Sequence, residues 1–120
     1  DLMKHILLIE DEGIVALQLS QIIEMEGDYR VTIALNGREG LDVHAEDPAD
    51  LVVTDLNMPE VDGFEVIRQI GAQSPGIKII VLSGASQETE QRAIEMGAVC
   101  TLSKPVQGVE LVEIVNELIG

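Results

Sequence analysis

Leu51-Val52-Val53-Thr54-Asp55-Leu56-Asn57-Met58-Pro59, followed by Asp62-Gly63, sets the architecture of the chain. It opens as an apolar run with two valines, too short for a helix, and so predicts a strand buried on both faces of a parallel sheet. A carboxylate, Asp55, stands where that strand ends. Met58-Pro59 blocks a helix there, because the residue before proline is pushed out of the α region. Gly63 supplies a turn, and Phe64-Glu65-Val66-Ile67-Arg68-Gln69-Ile70 predicts a helix. Asp55 is thus placed at the carboxyl end of a central strand, on the edge of an open α/β sheet where ligands bind. The plainer reading is an aspartate that caps the following turn.

Working outward, His5-Ile6-Leu7-Leu8-Ile9 predicts a second buried strand that also ends in acid, Glu10-Asp11-Glu12. Gly13 opens a helix to about Glu26, with Val15, Leu19, Ile22 and Ile23 on one face. Arg30 to Ala34 predicts a short strand. Asn36-Gly37 is a turn and candidate cap for a helix to about Glu46, with Leu41 and Ala45 facing in. Beyond the central segment, Ile77 to Leu82 predicts a strand ending at Ser83-Gly84. Ser86 caps a polar helix, Gln87 to Met96, stopped at Gly97. Ala98 to Leu102 predicts the fifth strand, running into Ser103-Lys104-Pro105. A last helix covers Gln107 to Ile119, with Leu111, Ile114, Val115 and Leu118 inward. Five strands alternating with five helices, joined by right-handed crossovers, make a doubly wound α/β fold with helices on both faces of a five-stranded parallel sheet.

The 120 residues are read as a single domain, 1–120, with 46% apolar content, enough for one buried core. The opening Asp1-Leu2-Met3 lies close to the first strand and is compatible with a piece cut from a longer, multidomain protein. A net charge of -15 repels phosphate backbones and anionic membranes, which argues against direct nucleic-acid or membrane binding. It attracts a basic partner or a divalent cation. One cysteine, Cys100, forbids an internal disulfide and agrees with a reducing, cytoplasmic setting; it is read as a small strand residue.

In this topology Glu10 and Asp11, Asp55, Ser83 and Lys104 all stand at strand ends on the same edge of the sheet. Crowded carboxylates repel one another, and either protons or a divalent cation relieve that repulsion. Mg²⁺ suits oxygen ligands and is typically held by one or two carboxylates plus a phosphate. A carboxylate beside such an ion can attack phosphorus. The rest of that chemistry is positive charge on the transferring oxygens, which Lys104 and the metal would supply, with Ser83 giving a hydrogen bond.

These residues resemble the receiver domain of two-component response regulators. The resemblance rests on Glu10-Asp11-Glu12, on Asp55-Leu56-Asn57-Met58-Pro59-Glu60-Val61-Asp62-Gly63, on Ser83-Gly84 and on Lys104-Pro105, and it covers essentially the whole chain in register. It implies a flavodoxin-like (βα)5 fold with strand order 2-1-3-4-5. It further implies a phosphoacceptor at Asp55, and Mg²⁺ held by the side chains of Asp11 and Asp55 and the backbone carbonyl of Asn57, with Glu10 acting through water. Lys104 would pair with the phosphoryl group and Ser83 would sense it, and the Lys104-Pro105 bond is often cis in the family. Asn57 and Ala85 lie where members differ in dephosphorylation rate. The sequence departs from the pattern at Thr101, where the family commonly has the Tyr or Phe of its switch, and at Val106, often Phe.

The resemblance implies a phosphoacceptor signalling switch rather than a turnover enzyme. A histidine kinase or histidine phosphotransfer protein would be the donor, an unknown downstream effector the target, and a homodimer formed on phosphorylation one mode of output. The alternative is a receiver-like interaction module that is never phosphorylated. Two new charge-assisted hydrogen bonds of about 1.5–3 kcal/mol each approach the roughly 5.5 kcal/mol that inverts a 1:99 equilibrium. The segment such contacts would bias is the loop and polar helix at 84–97, with Thr101 a weak candidate switch. An aspartyl phosphatase would want a second Asp at position 57, which is Asn57, and a nucleotide- or flavin-binding domain would want a glycine-rich loop after the first strand. His5 and His44 are isolated and read as solvent-facing, not as phosphoryl donors.

Overall fold

The computed structural model describes residues 3–84 and 86–120, so Asp1, Leu2 and Ala85, where the resemblance implied variation in dephosphorylation rate, lie outside the described residues. Ten elements alternate: β1 (Lys4–Ile9), α1 (Gly13–Glu26), β2 (Tyr29–Ala34), α2 (Gly37–Glu46), β3 (Leu51–Asp55), α3 (Gly63–Gln73), β4 (Lys78–Ser83), α4 (Gln87–Met96), β5 (Cys100–Ser103) and α5 (Gly108–Ile119). All ladders are parallel, in the order β2-β1-β3-β4-β5. The sheet is therefore the doubly wound, flavodoxin-like one expected.

Strand periodicity divides the core. On β1, Leu7 and Ile9 pack with Val52, Val66, Ile67, Ile70 and Ala93 beneath α2, α3 and α4. Ile6 and Leu8 point the other way, to Ile23, Leu111 and Val115 of α1 and α5. Each face is a continuous apolar layer, so β1 and β3 are buried on both sides, as their unbroken apolar runs demand. Caps fall where short polar residues precede the helices: Asn36 accepts from the Glu39 N–H, Asp62 from Glu65 and Ser86 from Thr89.

The structure corrects the sequence reading in two linked places. His5 and His44 are not solvent-facing but buried, 1% and 2% exposed. Both nitrogens of each ring have partners, which is what burial of an imidazole requires. On α2 the inward stripe is Gly37, Gly40, Leu41 and His44, and Ala45 is exposed. Gly40 explains the rotation: a Cβ there would stand 2.4 Å from Ile9 Cδ1, so the helix rides on this glycine and turns position 45 outward. Smaller differences are the ends of α3, which continues to Gln73, and of β5, which starts at Cys100 rather than Ala98.

Candidate functional site

Parallel strands deliver their carboxyl ends to one edge, and the polar residues gather there. Glu10 follows β1 directly, fully buried, with its N–H donating to the Ala34 carbonyl at 3.0 Å. Its Oε2 accepts from the Glu12 N–H at 3.2 Å. Asp55 ends β3 and is 3% exposed. Its Oδ1 accepts from the Asn57 N–H at 3.3 Å, and its backbone carbonyl accepts from the Thr54 hydroxyl. Asp11 is exposed, yet one oxygen each of Glu10, Asp11 and Asp55 lie within 4.8 Å of one another.

Lys104, just past β5, reaches over β4 to this cluster. Its Nζ donates to Asp55 Oδ2 at 2.9 Å and stands 3.2 Å from Glu10 Oε1. The backbone that aims it is fixed by its own N–H, which donates to the Ser83 carbonyl at 2.9 Å, and by a cis Lys104-Pro105 peptide. Ser83 is fully buried at the end of β4, one position beyond the Asp55–Leu82 register pair. Thr101 sits apart, mid-strand on β5 opposite Val81, and lines a groove with Gln91, Arg92 and Glu95 of α4.

The electrostatics follow from this crowding. Burial pushes the Glu10 carboxyl above its ordinary value, and the neighbouring Asp11 and Asp55 add to the rise, against the pull of the Glu12 N–H and Lys104. Burial alone would lower Lys104. The hydrogen bond and charge of Asp55, with the charge of Glu10, outweigh it and hold the ammonium above its usual value. Among the described residues, the Lys104 ammonium thus pairs with two of the three clustered carboxylates, Asp55 and Glu10. Glu10 Oε1 is buried and, beyond its ion pair with Lys104, accepts no hydrogen bond. A hard oxygen donor set, with one oxygen each of Glu10, Asp11 and Asp55 within 4.8 Å of one another, fits a divalent cation such as Mg²⁺.

The sequence-predicted residues therefore divide plainly. Glu10, Asp11, Asp55 and Lys104 are brought together, with Asn57 on the adjoining turn and Ser83 at the end of the neighbouring strand. Glu12, part of the acidic run, contributes its backbone N–H, while its side chain stands outside the oxygen cluster. Thr54 was missed; a buried threonine donating to the carbonyl of Asp55 leaves no mark in a strand pattern where threonine is ordinary.

The family model of the response regulator receiver domain matches residues 6–116. The chain belongs to that family. It is 34% identical over 116 residues to the chemotaxis protein CheY of Thermotoga maritima, covering 96% of this chain and 97% of that one. It is 39% identical over 116 residues to a probable transcriptional regulatory protein of Picosynechococcus, covering 90% of this chain but 46% of the relative. The receiver domain thus spans nearly all of a CheY and under half of that larger regulator. Among solved structures, a CheY-like receiver domain from Methanospirillum hungatei superposes with a TM-score of 0.90 at 32% identity, over 97% of this chain and 93% of that one. Chemotaxis protein CheY4 of Vibrio cholerae gives 0.90 at 28% identity, over 98% and 99%. Receiver domains are signalling modules whose general function is that of a phosphoacceptor switch, and they generally bind Mg²⁺ at an acidic pocket. Among the described residues, no helix is long and apolar enough to cross a membrane.

Proposed function

We propose that Asp55 accepts a phosphoryl group from a phosphohistidine on a histidine kinase or phosphotransfer protein, and that the resulting acyl phosphate biases the domain toward its effector. The observation that carries this is the Lys104 ammonium, 2.9 Å from Asp55 Oδ2 and 3.2 Å from Glu10 Oε1, beside carboxylate oxygens within 4.8 Å of one another. A carboxylate oxygen of Asp55 forms the new bond to phosphorus as the phosphorus–nitrogen bond to the donor imidazole breaks, and the imidazole leaves. Lys104 gathers the negative charge on the transferring group. Ser83 donates its hydroxyl to a phosphoryl oxygen. The side chains of Asp11 and Asp55 and the Asn57 carbonyl would hold Mg²⁺, with Glu10 acting through water, and the ion would supply further positive charge at the same oxygens. Water later releases the phosphoryl group, so the domain takes part in chemistry on itself and turns over no external substrate.

The effector is a domain or protein outside this chain, and the setting is the cytoplasm, where kinase and effector meet. A homodimer formed on phosphorylation is one form the output takes. The test is intact-protein mass after incubation with acetyl phosphate, with and without Mg²⁺, on the parent and on Asp55→Asn. A Mg²⁺-dependent gain of one phosphoryl group, absent in Asp55→Asn, is the expected result. No gain in a folded protein would replace this reading with an interaction module that is never phosphorylated.

A further inference from the structure

The edge of the sheet opposite the carboxylates carries a second polar cluster. The loop from α2 to β3, Asp47-Pro48-Ala49-Asp50, is fastened there by two buried imidazoles. His44, on α2, accepts the Ala49 backbone N–H at Nδ1, 3.0 Å away, and its Nε2 lies 2.8 Å from Ser74 Oγ at the end of α3. His5, on β1, has Nδ1 3.2 Å from the Pro48 carbonyl and Nε2 2.8 Å from Thr32 Oγ1 on β2. Asp50 closes the loop onto the His5 backbone, its carboxylate accepting the His5 N–H at 2.7 Å and its own N–H donating to the His5 carbonyl at 2.7 Å.

These partners fix the protons. A backbone N–H can only donate, so His44 Nδ1 must carry a lone pair, and the ring holds its one proton on Nε2, toward the serine. A carbonyl can only accept, so His5 carries its proton on Nδ1 and receives the threonine hydroxyl at Nε2. The two rings respond differently to acid. A second proton on His5 costs no bond at Pro48, and the Thr32 hydroxyl can turn to accept. A second proton on His44 places N–H against N–H at Ala49.

We propose that His44 is an acid-released clasp that holds the α2–β3 loop shut at neutral pH and lets it open as its ring is protonated. Its surroundings agree. Among the described residues, the charged groups facing the pair are Arg30 from β2 and Asp47 and Asp50 from the loop, and α3 presents the Ser74 hydroxyl. Asp47, 3.9 Å from His5 Nδ1, is held below the usual carboxylate range by the Arg30 guanidinium. Burial first, then His5, hold the His44 imidazole below its usual range. The ordinary imidazole value is 6.5, and closing the loop lowers it. Opening therefore becomes easier as pH falls below that value, by up to about tenfold per pH unit, until the closed form also protonates.

The test is ¹⁵N NMR on the labelled chain between pH 8 and pH 5, reading the imidazole tautomers and the hydrogen-exchange protection of the Ala49 amide against that of Val53 in mid-β3. The expected result is an unprotonated His44 Nδ1 at pH 8 and a selective loss of Ala49 protection, up to about tenfold per unit, below about pH 6.5. In His44→Asn, whose amide oxygen takes the place of Nδ1 and does not titrate, the ratio stays flat. A proton on His44 Nδ1 at pH 8, a pH-independent Ala49 ratio in the parent, or an unchanged pH dependence in a folded His44→Asn each overturns the proposal. Should that variant not fold, the two measurements on the parent decide.

Discussion

Lys104→Met removes the ammonium paired with Asp55 and Glu10 while keeping most of the apolar stem. At an effective dielectric of about 20, each of its contacts, at 2.9 Å and 3.2 Å, is a gross attraction of about 5–6 kcal/mol. Much of that is offset in the parent by the water stripped from the charges. The loss has a ceiling, because an abandoned carboxylate can take a proton. For a carboxyl of ordinary pKa 4.5 this costs about 1.4 kcal/mol per pH unit above that value, or about 3.4 kcal/mol at pH 7. Lys104 is 28% exposed, so water already shares the load, and the expected loss at pH 7 without divalent cations is about 2–3 kcal/mol. Glu10 gives that loss its pH dependence. Its carboxyl, already raised in the parent, rises further without the ammonium. The penalty is therefore absent below the parent's own folded value, which already lies above 4.5, grows as pH rises past it, and levels off above the variant's folded value. The assay is urea unfolding followed by far-ultraviolet circular dichroism, since the chain has no tryptophan. With a slope of about 1.5 kcal/mol per molar, the pH 7 midpoint falls by about 1.3–2 M. Added Mg²⁺ restores more stability to the variant than to the parent. An equal penalty at pH 5 and pH 8, or no extra rescue by Mg²⁺, refutes the view of Lys104 as the counter-charge of this cluster.

Two further outcomes follow from local geometry. Gly63→Ala places a Cβ 2.4 Å from the Asp55 carbonyl oxygen and 2.6 Å from Leu56 Cα, backbone atoms that cannot swing aside; unfolding experiments should show a loss of about 2–4 kcal/mol, and one below about 0.5 kcal/mol would mean that the turn after β3 yields freely. The Glu65 carboxyl, hydrogen-bonded by Arg68 and then Gln69, titrates at about 2, and carboxyl carbon NMR should find it there and find it moved most of the way back to 4.5 in Arg68→Ala.

The fold was legible because its signals were redundant. Ile6–Ile9 of β1 and Leu51–Val53 of β3 are unbroken apolar runs that lead into acid, the pattern of a doubly buried parallel strand ending at a polar edge. Of the site, the residues at strand ends could be placed from topology alone, since every parallel strand exits on the same edge. Which carboxylate is buried could not. Glu10 and Asp11 are neighbours in sequence, yet one is fully buried and the other exposed, because the chain turns out of the sheet between them. The histidines were misread for a related reason. An isolated imidazole in a sequence carries no mark of its partners, and those of His44 are a backbone amide five residues away and the hydroxyl of Ser74. Ala45 looked like the inward residue of α2 because alanine is apolar; the glycine contact with Ile9 that sets the helix rotation is not a periodic signal.

Strand order gives Lys104 a mechanical meaning. Asp55 belongs to the central strand, whereas Lys104 hangs from β5, a four-residue border strand with a single ladder neighbour, β4. The ammonium is thus a guy-rope from the middle of the sheet to its loosest plank. Any change of charge at the anchor alters the tension at the border, where displacement breaks the fewest backbone hydrogen bonds.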